Sequence, residues 1–88
     1  MKLRLEDFGS VGRLKILETL VEEGGLNISQ LSRRTGMNHT SVDRHVRKLG
    51  DMGLVVEKRY GNIRMVEVAF ESFDIQFRKK TGVRMELQ

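Results

Sequence analysis

The chain reads as a mainly α-helical domain with a small β-hairpin, an α+β fold in the order helix, short extended piece, helix, helix, strand, strand, helix. Three observations predict it. Apolar residues recur at helical spacing through the first half of the chain, the period changes to that of strands after Gly53, and a Tyr60-Gly61-Asn62 turn separates two strand-like runs. With 88 residues there is room for one domain. That domain is expected to span 1–88, with residues 71–88 a C-terminal helix and extension used in dimerisation.

The first helix is expected over 11–23, where Val11, Leu14, Leu17 and Val21, joined by Ile16 and Leu20, repeat at helical spacing behind Ser10 as N-cap. Gly24-Gly25 ends it. Leu26-Asn27-Ile28 reads as a short extended piece, and Ser29 as the cap of a brief second helix that Thr35-Gly36 stops. Asn38 caps a third helix over about 38–49, with Val42, Val46 and Leu49 as its apolar stripe and Met37 as a staple. Beyond it, Leu54–Arg59 and Ile63–Phe70 are rich in strand formers and make the hairpin. Ser72 is placed to cap a last helix, with Phe73 and Phe77 four apart on one face and Thr81-Gly82 as its end. Val83–Leu87 alternates apolar and charged residues, as does Lys2-Leu3-Arg4-Leu5. At least one of Phe70, Phe73 and Phe77 should pack under the hairpin. Any left over, with the outer side of Val11, Ile16 and Leu20, would make an apolar patch for self-association.

Composition narrows the function. No apolar run approaches the ~20 residues that span a bilayer, the first residues lack a signal-peptide stretch, and cysteine is absent, so a cytoplasmic protein is expected with no membrane partner. There is no paired carboxylate framework, nucleophilic thiol or phosphate-cradling glycine loop, which argues against an enzyme and implies no cofactor. His39 and His45 stand six apart on one helix, off the i, i+4 spacing of a chelating pair, so no metal site is expected.

Charge points to a partner. The formal net charge is +4, and residues 33–64 hold eight cations against three anions, while the flanking thirds carry four against five and four against four. The whole excess lies in the middle of the chain, the footprint of a surface that meets a phosphate backbone. With Val42 turned to the core, steps of about 100° send Thr40, Arg44, Arg47 and Lys48 to the opposite side of the third helix, with Ser41 and Asp43 on its flanks. Arginine donates two hydrogen bonds to guanine, which makes Arg44 and Arg47 the leading base readers; Thr40 and Ser41 suit base edges or phosphates. Asn38 and His39 lie at the helix start, where such helices approach bases. Asp43 and Arg47 also form an ordinary i, i+4 pair. The N–H groups beside Ser29 offer a phosphate site that Arg33 or Arg34 could supplement. Around the hairpin turn, over about 57–65, Lys58, Arg59, Tyr60, Asn62 and Arg64 cluster where a minor groove or backbone contact is expected, Tyr60 alternatively packing within the hairpin.

Two helices joined by a tight turn, the second polar outside, form a helix-turn-helix, and the hairpin that follows is a wing. Ser10–Leu17, Ile28–Met37, and Val42–Leu49 with Gly53-Leu54-Val55 resemble the first helix, the positioning helix with its turn, and the recognition helix with first wing strand of ArsR-like and MarR-like winged helix-turn-helix regulators of bacteria and archaea. The likeness covers about residues 8–70. It implies a sequence-specific transcriptional regulator that binds double-stranded DNA as a homodimer. A non-specific architectural or RNA-binding protein that contacts only backbone, and a winged-helix protein-interaction module, are the competing readings.

Overall fold

The computed structural model describes residues 8–88. Its elements are α1 (Val11–Glu23), β1 (Leu26–Asn27), α2 (Ile28–Thr35), α3 (His39–Asp51), β2 (Val55–Tyr60), β3 (Ile63–Val68), β4 (Phe73–Arg78) and β5 (Gly82–Leu87). The expected α+β architecture is present, with the wing and three of the four expected helices. Among the described residues no helix is long and apolar enough to cross a membrane.

The three helices enclose one apolar core. Ile16, Leu17 and Leu20 of α1, Leu31 of α2, and Val42, Val46 and Leu49 of α3 are buried, with Leu54, Val55 and Val66 closing the floor from the hairpin. The α3 stripe is thus the expected one, and Met37 packs against it. On α1 the stripe divides. Ile16 and Leu20 are fully buried, so neither contributes to a surface patch, whereas Val11, Leu14 and Val21 are exposed. The helical period had grouped all six because a stripe wider than one face still satisfies i, i+3, i+4 spacing.

Between α2 and α3 the chain turns through Gly36, whose φ of 76° lies in the left-handed region that glycine enters without steric cost. Side chains hold this turn as well: Thr35 Oγ1 donates to Leu31 O at 2.7 Å and accepts from Met37 N, while Ser32 Oγ donates to Met37 O. Asn27, and not Ser29, caps α2. Its side chain accepts from Gln30 N at 2.8 Å and its own N–H donates to Gln30 Oε1 at 2.9 Å, a reciprocal box that Ser29 lacks the partner to form. Ile28 therefore belongs to the helix. Ser10 precedes α1 in extended conformation without a side-chain capping bond.

β3 is the centre of a three-stranded antiparallel sheet, ordered β1-β3-β2. Tyr60 pairs with Ile63, leaving Gly61 and Asn62 as a two-residue loop in which only Gly61 has positive φ, the pattern of a type II′ turn.

The last expected helix is a strand. Residues 73–78 form β4 and pair antiparallel with β5 in a separate two-stranded sheet, Phe73 opposite Leu87 and Arg78 opposite Gly82. Phe73 and Phe77 satisfy helix and strand spacing alike, but Ile75 between them joins their face only in a strand. Ser72 closes the root of this hairpin through its backbone, exchanging bonds with Gln88, instead of capping a helix. Phe8, Phe70 and Phe73 fasten that root to the core, with ring centroids 5.6 Å apart for Phe8 and Phe73 and 5.8 Å for Phe70 and Phe73. Phe77 remains 70% exposed. The alternating segment Lys2–Leu5 lies outside the described residues.

Candidate nucleic-acid interface

The helix-turn-helix and the wing meet around an open groove of about 470 Å³, lined by Asn27, Ile28 and Ser29 from the start of α2, His39, Thr40 and Asp43 from α3, and Asn62, Ile63 and Arg64 from the wing. Three elements distant in sequence thus share one concavity. The Asn27–Gln30 box accounts for two of the four N–H donors of the first α2 turn, and the other two, on Ile28 and Ser29, border the groove. A helix N-terminus at this place favours an anion.

On α3, Asn38 Oδ1 accepts from Ser41 N at 2.8 Å, so Asn38 is the helix cap as the sequence predicts. Asn38, His39 and Thr40 are exposed and Ser41 is half-buried. Arg44 and Arg47 project outwards, exposed, on the side away from Val42 and Val46; Lys48 is half-buried. Arg47 Nε donates to Asp43 Oδ2 at 2.9 Å, the i, i+4 pair read from the sequence.

Asp43 has a second partner. Arg64 Nη2 of β3 lies 2.7 Å from Asp43 Oδ1 and 2.6 Å from Glu57 Oε1, and Arg64 Nε donates to Glu57 Oε2 at 3.1 Å. Arg47 first, then Arg64, hold the Asp43 carboxyl below the usual carboxylate range, and the two carboxylates in turn raise the Arg64 pKa, keeping it charged. Arg64 is therefore a clamp that fixes the wing to α3, and its guanidinium reaches the groove from that fixed position. Sequence reasoning saw Asp43 only beside Arg47. A pair spanning 21 positions leaves no local signal, although one acid on an otherwise basic helix face hinted at an internal partner.

At the wing, Lys58 Nζ lies 3.0 Å from Glu67 Oε2, which raises the lysine pKa, and Arg59 and Tyr60 are exposed. Tyr60 is 61% exposed, so it is not packed away inside the hairpin. On α2, Arg33 is exposed and Arg34 is tied to Glu23 at 2.8 Å. Among the described residues no group of three or more His, Cys, Asp or Glu side chains could hold a metal ion. Asn27 is the groove residue that sequence reasoning passed over, though its spacing to Gln30 was a readable capping signal.

Beneath the outer face of α3, His45 is buried against α1. A Cβ on Gly12 would come within 2.8 Å of its Nε2 and 2.9 Å of Met37 Sδ, so only glycine permits this approach of α1 to α3. His45 Nδ1 is buried with no hydrogen-bond partner among the described residues. Burial, then the charges of Arg13 and Arg44, push the imidazole below its ordinary value of 6.5. The folded protein therefore resists a proton that the unfolded chain accepts. Stability should be complete above about pH 6.5 and decline as pH falls through that value towards the lower pKa of the folded state. Melting curves recorded between pH 7.5 and 5.5 should show this decline, and His45→Leu should flatten it; a decline of the same size in the variant would assign the effect elsewhere.

The model of the winged helix-turn-helix DNA-binding family matches residues 13–56, from α1 into the first wing strand. No curated protein matches the chain. Among solved structures, it is similar to the homodimeric winged helix-turn-helix DNA-binding domain of a possible ArsR-family transcriptional regulator from Mycobacterium bovis, at 29% identity and a TM-score of 0.68, over 75% of this chain and 60% of that one. A MarR-family transcriptional regulator from Silicibacter pomeroyi aligns at 26% identity and a TM-score of 0.61, over 66% of this chain and 41% of that one. The chain thus spans less than two thirds of either structure. The matched residues contain α2, the Gly36 turn and α3 in the order found above, and the chain belongs to the winged helix-turn-helix DNA-binding family.

Proposed function

We propose that the protein is a sequence-specific transcriptional regulator, not an enzyme, that acts in the cytoplasm and binds double-stranded DNA as a homodimer. In this reading α3 enters the major groove, Arg44 and Arg47 reading base edges with Thr40 and Ser41 beside them, while Asn38 and His39 approach from the helix start. Ser29 and Arg33 face phosphates. Lys48, Lys58, Arg59 and Tyr60 contact backbone or minor groove, and Arg64 sets the wing's position as it reaches into the groove. The observation that carries the reading is the single concavity where the α2 N-terminus, the start of α3 and the wing turn converge beside the exposed arginines of α3. One helix-turn-helix reaches only a few base pairs, and two-fold symmetry doubles the contact.

Selection of bound duplexes from a random pool tests this directly. The expected outcome is a two-fold-symmetric motif with half-sites about 34 Å apart along the duplex. A pool that stays random through repeated rounds, with affinity set by salt alone, would mark the protein as an architectural backbone binder.

A further inference from the structure

Side chains of alternating charge run from the wing to the outer face of α3. Glu57 and Arg64 stand diagonally on one face of the β2–β3 pair, because Glu57 is opposite Val66 and Arg59 opposite Arg64. Arg64 donates to Glu57 twice, Nε to Oε2 at 3.1 Å and Nη2 to Oε1 at 2.6 Å, which fixes the plane of its guanidinium. From that plane Nη2 also meets Asp43 Oδ1 at 2.7 Å. The other oxygen of the same carboxylate, Oδ2, accepts from Arg47 Nε at 2.9 Å. Side-chain exposure is 31, 24 and 29% for Glu57, Arg64 and Asp43 and rises to 72% for Arg47, so three sheltered links end in one that faces solvent. An isolated i, i+4 pair on a helix surface is a loose contact. Here the carboxylate is also held from behind, by the sheet.

We propose that Asp43 is the positioning residue that sets the selectivity of Arg47, holding its guanidinium by Nε so that the Nη pair is presented to a base. The inference rests on the proposed reading of Arg47 as a base reader and names what positions it. Arginine meets guanine O6 and N7 with two parallel donors. With Nε committed to Asp43, the two Nη groups are the pair left for that contact. Arg47, so held, offers one edge of its fork, where an unheld arginine offers two. Fixing a free arginine side chain costs rotamer freedom equivalent to roughly 30-fold in an equilibrium, and a support that holds it beforehand removes part of that cost. The carboxylate has a second effect. While it pairs with Arg47 it withholds that charge from phosphates, so a duplex without the right base gains nothing from this side chain.

Equilibrium titrations of the full chain with the selected duplex, its single-base-pair variants and a random duplex test the inference. Arg47→Ala first defines the base pair that Arg47 reads. Asp43→Asn keeps the shape of the side chain and removes its charge. It is expected to lower discrimination at that same base pair by roughly 5- to 30-fold and to leave the base pair read by Arg44 untouched. It should also bind random DNA more tightly, with a slope of log K against log salt steeper by about one per protomer, because the released Arg47 reaches a phosphate. In the Arg47→Ala background the same substitution should alter neither that selectivity nor the salt slope. A distorted α3 would weaken every duplex, so selectivity lost together with random binding gained separates positioning from damage to the fold. Arg47→Lys keeps the charge without the fork, and should relax the same base pair while random binding and its salt slope stay as in the wild type. A wild type that prefers no base pair would overturn the base-reading proposal and this inference together. The inference alone is overturned by a selective wild type in which Arg47→Ala relaxes no base pair or Arg47→Lys reads that base pair as well as arginine does. It is equally overturned if Asp43→Asn keeps full discrimination there, weakens every duplex alike, or acts the same with and without Arg47.

Discussion

Arg44→Ala should weaken binding to the preferred duplex by about 1–3 kcal/mol per half-site, roughly 5- to 150-fold, and relax selectivity at one base pair while random DNA is bound nearly as before. Arg44 is exposed on the outer face of α3, and among the described residues no acid is seen to occupy it in the way Asp43 occupies Arg47. It is the side chain on this face best able to give both guanidinium donors to a base. Arg59→Ala on the wing should act differently, weakening specific and random duplexes alike and making the slope of log K against log salt shallower by about one per protomer, because one fewer counterion is released. Both variants should fold, since neither side chain is buried. Titrations at several salt concentrations with the selected and a scrambled duplex separate the two behaviours. If both substitutions weakened every duplex equally, α3 would not be reading bases.

Leu49→Ala should cost about 2–5 kcal/mol of folding stability. Leu49 has no exposed surface and lies in the core shared by α1 and α3, so truncation loses the transfer energy of the side chain and leaves a cavity that three helices cannot easily close. A chain of this length is expected to have a total stability of about 4–13 kcal/mol, so the variant should be close to unfolded at the warm end of its range. Val21→Ala, at a residue 60% exposed, should change stability by no more than about 0.5 kcal/mol. Urea unfolding at a fixed protein concentration measures both, and equal midpoints for the two variants would contradict the described core.

The parts of this structure legible in the sequence are those with local causes. Asn38 caps α3, Gly36 takes a left-handed turn, and Val42, Val46 and Leu49 repeat at helical spacing; each signal lies within a few residues of its effect, so helix-turn-helix and wing could be read in order. Ser29 is a residue type suited to a helix cap, yet the decisive partner is the Gln30 side chain reaching back to Asn27. The final helix failed for a different reason. Phe73 and Phe77 fit two periods, and the choice was made by pairing with Val83–Leu87, a partner that a helical reading of 72–81 never consults. The basic face of the interface was legible as a set of residue types. The commitment of Arg64 to Asp43 and Glu57 was not, because long-range ion pairs follow from packing and leave no pattern along the chain.

The molecule measures 48 × 23 × 22 Å, about twice as long as it is wide. A particle of that shape drags more solvent and tumbles more slowly about its short axes than a sphere of equal mass. On a sizing column a lone chain would elute early, where a compact protein of greater mass is expected, and its nuclear relaxation would differ between amide vectors along and across the long axis. Elution volume would therefore exaggerate the mass of a single chain, while scattered intensity, which counts mass independently of outline, would not.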